Sequence, residues 1–177
     1  VYINPLPKVE IYGDRYVCEA GILDLVASPK DGTWKSLNET VATVDQYGIV
    51  SGVSAGMAEI RFIVQTHEGC KDSASVNVTV NPSATLQPII DNSQVCQGEE
   101  ILVQYSFRGA TGIEVGEILP EGVTYNINSN ALTINGTHRE SGDFLYTLTT
   151  TGQGAGCGQV TVVGSITVSP VPTAAFT

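Results

Sequence analysis

Four cysteines are the residues of this chain best suited to covalent chemistry: Cys18, Cys70, Cys96 and Cys157. No two of them stand at the two-residue spacing that zinc sites use, and no His-Glu-x-x-His sequence occurs, so zinc has no ligand set here. An even number of cysteines favours disulfides instead. Disulfides in turn predict an oxidising compartment or the cell exterior.

Other residues with catalytic chemistry are present but are not arranged for catalysis. His67 and His138, the only histidines, are far apart in the sequence and neither stands beside a nucleophile-elbow serine or cysteine. Glu99 and Glu100 are adjacent, so on a strand their side chains point to opposite faces rather than across a cleft. The glycine-rich stretch 152–158 lacks the Lys-Ser/Thr ending of a phosphate loop. The sequence therefore predicts no catalytic residue and no enzyme activity.

Charge and hydropathy exclude several classes of partner. The formal net charge is −10, which opposes a broad electrostatic attraction to nucleic acid or to anionic lipid. No apolar run approaches the eighteen or so residues of a transmembrane helix, and no basic-then-apolar signal peptide opens the chain. We therefore expect no nucleic-acid partner and no membrane insertion.

A short strand that ends in a polar residue and a proline occurs three times and divides the chain. The copies are Val1–Pro7, Val76–Pro82 and Ile166–Pro172. Proline has no N–H to donate, so each copy ends its strand at a set point and begins a link. We interpret residues 1–7 as the tail of a preceding repeat, 8–81 and 82–170 as two whole modules, and 171–177 as the start of the next repeat.

The cysteines repeat with the same period as these links. Cys18 lies 13 residues after Pro5 and Cys96 lies 14 after Pro82, while Cys70 and Cys157 precede Pro82 and Pro170 by 12 and 13 residues. Four cysteines allow three connectivities. Since each pair brackets one module, this spacing predicts the bonds Cys18–Cys70 and Cys96–Cys157, one inside each module.

Both modules have the residue pattern that is typical of all-β proteins. Segments rich in Val and Ile, such as 58–64, 75–80, 101–107 and 160–168, are short and are separated by Gly, Asp, Asn and Pro. No window of a dozen residues sustains helical apolar spacing. Trp34, the sole tryptophan, falls on the inward face of its predicted strand and is expected to anchor the core of the first module.

The central part of the first module resembles a known family. The residues that carry the likeness are Trp34 and Ser36, Val41-Ala-Thr-Val-Asp45, Gly48, Gly52-Val53, Ala55-Gly56 and Ala58-Glu-Ile60. This pattern is similar to that of the bacterial Ig-like group 2 domain. The resemblance implies a small β-sandwich that serves as a spacer or adhesive unit in bacterial surface proteins. Cys18 and Cys70 depart from the ordinary family pattern.

The second module resembles a different Ig-like group. Its marks are Leu119-Pro-Glu-Gly-Val-Thr-Tyr125, Leu132-Thr-Ile-Asn-Gly-Thr137 and Ser141-Gly-Asp-Phe-Leu-Tyr-Thr-Leu148. These segments look like the cadherin-like Ig domains of large bacterial surface proteins. His138 replaces the family's proline and the trailing acidic motif is missing, so a cadherin-style calcium site is not implied. The fold class predicted for the chain is two tandem Ig-like β-sandwiches.

The amino-acid sequence of the links, such as Thr-Val-Ser-Pro-Val-Pro-Thr, resembles that of tandem repeats in Bacteroidetes surface proteins. These include gliding-motility adhesins exported by the type IX system. Asp72-Ser73-Ala74 resembles the O-glycosylation signal of the same phylum, which makes Ser73 a candidate modification site. The resemblance implies an extracellular, non-enzymatic repeat at the cell surface. Its expected partners are neighbouring repeats and a surface polysaccharide or solid substrate.

Two alternatives stay open. A carbohydrate-binding accessory module of a secreted enzyme would need a planar row of exposed aromatic side chains, and the tyrosines at 12, 16, 47, 105, 125 and 146 are the candidates. A calcium-stiffened adhesin would use calcium as its cofactor. Its candidate ligands are four acidic residues near the module ends: Asp14, Glu19, Asp24 and Asp91.

Overall fold

The computed structural model describes residues 8–67, 69–117, 119–155 and 157–172, and in these ranges every regular element is a β-strand. The chain divides into two compact units. Unit 1 comprises residues 1–83 together with 154–157, and unit 2 comprises 84–153 and 158–177. The predicted tail at residues 1–7 lies outside the described residues, as do residues 173–177.

The described residues of unit 1 form nine strands. They are β1 (Glu10–Tyr12), β2 (Tyr16–Cys18), β3 (Ile22–Asp24), β4 (Val26–Ser28), β5 (Thr33–Ser36), β6 (Ala42–Val44), β7 (Ile49–Gly52), β8 (Gly56–Gln65) and β9 (Lys71–Asn81). One sheet has the order β2-β9-β8-β5, a second has the order β3-β7-β6, and β1 pairs with β4. All pairs are antiparallel except β2 with β9, which run parallel.

In the described part of unit 2 there are eight strands. They are β10 (Thr85–Asn92), β11 (Gln94–Cys96), β12 (Glu100–Arg108), β13 (Gly112–Gly116), β14 (Val123–Asn128), β15 (Ala131–Thr137), β16 (Gly142–Thr151) and β17 (Thr161–Ser169). Its two sheets have the orders β10-β12-β15-β14 and β11-β17-β16-β13. As in unit 1, the short second strand of the unit, β11, pairs in parallel with the last strand, β17.

Alternation along the long strands builds a separate core in each unit, because successive side chains of a strand point to opposite faces. In β8, Ala58, Ile60, Phe62 and Val64 are buried while their neighbours are at least partly exposed. In unit 2 the same alternation buries Ile101, Val103, Tyr105 and Phe107 on β12. Facing sheets with apolar inner sides form the sandwich that the period-2 pattern predicts.

Trp34 lies between two groups of core residues in unit 1. It is half-buried and packs against the cluster containing Val50 and Ile60 and against that containing Phe62 and Val64. Its ring centroid lies 4.7 Å from that of Phe62, with the planes tilted by 53°. Tilted aromatic pairs at this separation add about 1 kcal/mol beyond their burial.

The disulfide prediction is wrong in its pairing. The structure bonds Cys18 to Cys157, with the two Cα atoms 5.5 Å apart, and leaves Cys70 and Cys96 as free thiols. The bonds Cys18–Cys70 and Cys96–Cys157 therefore do not form. Cys157 lies in the connection between β16 and β17, but residues 154–157 of that connection belong to unit 1, where Cys18 is.

Candidate functional site at the strand-end cysteines

Cys18 ends β2 at the point where the last strand of unit 1 also ends. The parallel pairing aligns Val17 with Val80 and Cys18 with Asn81, and Pro82 follows at once. A tight turn then begins, in which the N–H of Gly21 donates to the carbonyl of Cys18 (2.9 Å). Because both strands stop here, the cysteine is placed at the end of the sheet beside the link to the next module.

Glu19 fastens this turn to the link. Its backbone N–H donates to the carbonyl of Asn81 (2.9 Å) and its carboxylate accepts hydrogen bonds from the N–H groups of Ala55 (3.0 Å) and Ser83 (3.3 Å). The Ser83 hydroxyl donates to the carbonyl of Glu19 (3.0 Å). Hydrogen bonds to a carboxylate are stronger than neutral ones. The residues that follow the strand-proline motif are thus held by the turn that follows the cysteine.

The segment that supplies Cys157 is seated on the same strand end. The side-chain amide of Asn81 donates to the carbonyl of Ala155 (3.1 Å), and the N–H of Cys157 donates to the carbonyl of Gly154 (3.0 Å). A Cβ on Gly154 would come within 2.4 Å of the Asn81 side chain, so this close approach requires glycine. The glycine-rich stretch therefore serves a packing role around a disulfide.

Cys96 occupies the same place in unit 2 that Cys18 occupies in unit 1. It ends β11, aligned with Ser169, the last residue of β17, and Pro170 follows Ser169. The N–H of Gln97 donates to the carbonyl of Ser169 (2.9 Å), and the N–H of Glu99 donates to that of Cys96 (3.1 Å). Cys96 is exposed.

Cys70 occupies the connection between the last two strands of unit 1, as Cys157 occupies that between the last two strands of unit 2. It is half-buried and immediately precedes β9. Its carbonyl accepts a hydrogen bond from the N–H of Thr66 (2.9 Å), which closes the turn between β8 and β9. Each of the two modules, 8–81 and 82–170, thus carries one strand-end cysteine and one hairpin cysteine.

The remaining candidate residues are dispersed. Among the residues that the structure describes, no group of three His, Cys, Asp or Glu side chains could hold a metal ion, so Asp14, Glu19, Asp24 and Asp91 do not form a shared site. His67 lies in the turn after β8, whereas His138 is buried in unit 2. Ser73 is exposed on β9, where its N–H donates to the Asp72 side chain (2.8 Å).

A polar cavity of about 290 Å³ lies beside His138 in unit 2, lined by Glu121, Gly122, Thr137, His138, Arg139 and Glu140. The His138 Nδ1 atom lies 2.8 Å from the carbonyl oxygen of Glu121, which places the proton on Nδ1 in the neutral ring. The ring meets Phe144 edge-on at 4.8 Å, and its Nε2 atom is buried with no partner in the described chain. The described lining contains no cysteine, serine or second histidine.

The six tyrosines in the described part of the chain fall into two groups. Tyr105 and Tyr146 are core residues, whereas Tyr12, Tyr16, Tyr47 and Tyr125 expose between 49% and 75% of their surface. The exposed ones come from β1, β2, the turn before β7, and β14 of unit 2. Residues on four separate elements form a carbohydrate platform only if those elements align the rings in one plane.

Two ion pairs lie on the surface of unit 1. Arg61 donates to Glu59 (2.9 Å), and this hydrogen bond holds the pKa of the Glu59 carboxyl below its usual value. At the start of β1, hydrogen bonds from Lys8 first and from Tyr12 second lower the pKa of Glu10. Because these groups face solvent, they contribute solubility rather than a tuned acid or base.

The comparisons with known proteins agree with this architecture. Residues 13–78 match the family described as the bacterial Ig-like domain (group 2). A three-Ig fragment of titin, I67–I69, shares 14% identity over 92% of this chain and 65% of its own length, with a TM-score of 0.53. The insect immune protein hemolin shares 15% identity over 94% of this chain and 47% of its own length, with a TM-score of 0.58.

The matches to solved structures show which fold the chain has. The chain spans less than two thirds of both solved structures, and identities of 14% and 15% show the fold alone. No curated protein matches the chain. The match to the bacterial Ig-like group 2 family is confined to residues 13–78 of the first unit, and the chain as a whole has an Ig-like β-sandwich fold. In the part of the chain that the structure describes, no helix could cross a membrane.

Proposed function

We propose that this chain is a non-enzymatic structural repeat of a large bacterial cell-surface adhesin or filament, which spaces or presents adhesive regions. The observation that carries the proposal is the disulfide between Cys18 and Cys157, which have a sequence separation of 139 residues. It cross-links the second strand of the first module to the last hairpin of the second. The bond thereby gives the chain a covalent path that bypasses residues 19–156.

A repeat in a surface stalk bears tension along the chain. This cross-link determines which residues are stretched by that tension. The covalent path runs ten residues from Lys8 to Cys18, crosses the disulfide, and continues fifteen residues from Cys157 to Pro172. Residues 19–156 lie inside the closed loop and are not stretched. Most strands of both modules are therefore protected from extension, which suits a mechanical role.

Single-molecule stretching between residues 8 and 172 tests this role. Fully extended, the oxidised path reaches only about 90 Å at about 3.6 Å per residue. Reduction should release a further length on the order of 450 to 500 Å, because the loop then extends. A Cys157→Ser variant should show the long extension without reductant. Release of the full length from the oxidised chain would contradict the proposal.

The predicted location needs a separate test. Antibodies raised against the chain should label intact cells of the source bacterium, and protease added outside the cells should remove the signal. A signal that appears only after lysis would overturn the surface assignment. Within this proposal, the link sequences favour Bacteroidetes adhesins, including gliding adhesins of the type IX route, and a polysaccharide or solid substrate as the contacted partner.

Glycan and calcium binding distinguish the proposed spacer from its rivals. We expect the chain to bind no glycan on an array and to keep its melting temperature when calcium is added. Specific glycan binding that is lost in a Tyr47→Ala variant would make the chain a carbohydrate-binding module. A melting temperature raised by calcium, and no longer raised in Asp14→Asn or Asp91→Asn, would make it a calcium-stiffened adhesin.

A further inference from the structure

The two free cysteines sit in copies of the environments that hold the bonded pair. After Cys18, the N–H groups of Glu19 and Ala20 donate to the carbonyls of Asn81 and Gly52, both at 2.9 Å. After Cys96, those of Gln97 and Gly98 donate to the carbonyls of Ser169 (2.9 Å) and His138 (2.8 Å). The third residue of each turn has positive φ, 61° at Ala20 and 80° at Gly98. The two strand-end cysteines are thus equivalent in pairing, turn and hydrogen bonds.

The hairpin cysteines occupy equivalent places in the order of strands. Cys70 and Cys157 lie between the last two strands of their modules, β8–β9 and β16–β17, and 12 or 13 residues before the proline that ends the module. Only one strand-end cysteine and one hairpin cysteine are joined, and they come from successive modules: Cys18 from the first and Cys157 from the second. The hairpin cysteine of the first module and the strand-end cysteine of the second remain free.

We propose that the Cys18–Cys157 bond is one member of a series, and that Cys96 bonds to the hairpin cysteine of a following module while Cys70 bonds to the strand-end cysteine of a preceding one. The partner is in both cases another module of this type. The inference rests on the proposed function, because only a repeat in a longer array has such neighbours. It gives every module the same two cross-links and leaves no cysteine without a role.

Each bond forms by thiol–disulfide exchange with a disulfide-bonded carrier such as oxidised glutathione. The thiolate of one cysteine attacks a carrier sulfur, forms a mixed disulfide and releases one carrier thiol. The thiolate of the neighbouring module's cysteine then attacks the protein sulfur of that mixed disulfide and releases the second carrier thiol. Two protein thiols are oxidised to one disulfide and one carrier disulfide is reduced to two thiols.

A tandem protein tests the proposal directly. Residues 1–170 are followed at once by residues 6–177, so that one strand-proline motif joins the copies and every described strand is kept in both. After refolding in a glutathione redox buffer, the monomer should contain a disulfide-linked peptide pair carrying Cys70 and Cys96. Two free thiols should remain, Cys70 of the first copy and Cys96 of the second. The Cys18–Cys157 peptide pair is the internal control for folding.

Matched variants show which copies are joined. Cys70→Ser in the second copy should abolish the Cys70–Cys96 pair and leave three free thiols. The same substitution in the first copy should keep the Cys70–Cys96 pair and leave one free thiol. The proposal is overturned if the pair is absent, if the two variants give the opposite result, or if Cys18 takes a partner other than Cys157.

This experiment separates the inference from the proposed function. If the tandem protein forms the Cys96–Cys70 bond but antibodies do not label intact cells, the surface role fails and the pairing stands. If cells are labelled but all four of these thiols stay reduced, the surface role stands and the serial disulfide fails.

Discussion

The hydroxyl oxygens of Tyr105 and Tyr146 lie 3.1 Å apart inside unit 2, where the two residues are 6% and 1% exposed. One hydroxyl donates to the other, so each polar tip has a partner within an apolar core. Buried hydroxyls without a partner are costly, which makes this pair a sensitive point of the second module.

Removing one of these hydroxyls should lower the stability of unit 2 more than removing both. Tyr105→Phe leaves the Tyr146 hydroxyl without this partner and should lower the free energy of unfolding of unit 2 by about 1 to 3 kcal/mol. The double variant Tyr105→Phe/Tyr146→Phe should recover most of that loss. Amide hydrogen exchange at Leu132 and Ile134, which are fully buried in the same core, measures the stability of unit 2 in each variant. Additive losses would contradict the pairing.

Alkaline pH should destabilise unit 2 through the same pair. Burial first, and the hydrogen bond with Tyr105 second, raise the pKa of Tyr146 above its ordinary value. In the unfolded chain this tyrosine ionises near pH 10, so the stability it contributes is present below about pH 10 and is lost as pH rises further. Tyr146→Phe should flatten this decline between pH 9 and pH 11. Tyr125→Phe, at an exposed tyrosine, is the control and should leave it unchanged.

Gly48 should be intolerant of any side chain. Its φ is +91°, and a Cβ would come within 2.3 Å of the Leu25 carbonyl oxygen and 3.0 Å of the Trp34 ring. Gly48→Ala should therefore lower the stability of unit 1 by more than about 2 kcal/mol. Gly69 also has positive φ (+85°) but no atom within 4 Å of its Cβ position, so Gly69→Ala should cost about 1 kcal/mol. Trp34 fluorescence follows both in urea, and equal losses would refute the steric argument.

The turn after Cys18 should gain stability from glycine. Ala20 adopts φ of 61°, a conformation that costs a residue with a Cβ about 1 kcal/mol. Ala20→Gly should raise the stability of unit 1 by about that amount. The equivalent substitution in unit 2, Gly98→Ala, introduces the same strain and should lower the stability of unit 2 similarly. A destabilised Ala20→Gly variant would show that the two turns are not equivalent.

Thiol counting should find half of the cysteines free. Under denaturing, non-reducing conditions, alkylation should modify Cys70 and Cys96 and leave Cys18 and Cys157 unmodified. In the native state Cys96 should react first, because it is exposed while Cys70 is half-buried. A peptide joining Cys18 to Cys70 would instead restore the pairing predicted from the sequence.

The strands that the sequence predicts well are those with sustained alternation. Residues 58–64 and 101–107 lie inside β8 and β12, because their apolar side chains recur every second residue. The strands β10 and β13 were not predicted, since Pro88 interrupts the first and glycines bound the second. Both are strands because they pair with long neighbours, β12 and β16, and local sequence does not report that pairing.

The cysteine pairing failed for a related reason. The spacing of the cysteines shows which positions in the two modules are equivalent, and the turns after Cys18 and Cys96 confirm that equivalence. Spacing does not show whether a strand-end cysteine meets the hairpin of its own module or of the next one.

The edge strand β10 has a consequence for how such chains behave at high density. It exposes Ile89 and Ile90, and an exposed apolar edge is a template on which another molecule can add a strand. Pro88 removes one backbone donor from this strand, and the register with β12 shifts between Pro88 and Ile90. The edge is therefore kinked and short of a donor. Edge-to-edge pairing of β10 with a strand of a neighbouring molecule is therefore disfavoured when chains are crowded side by side.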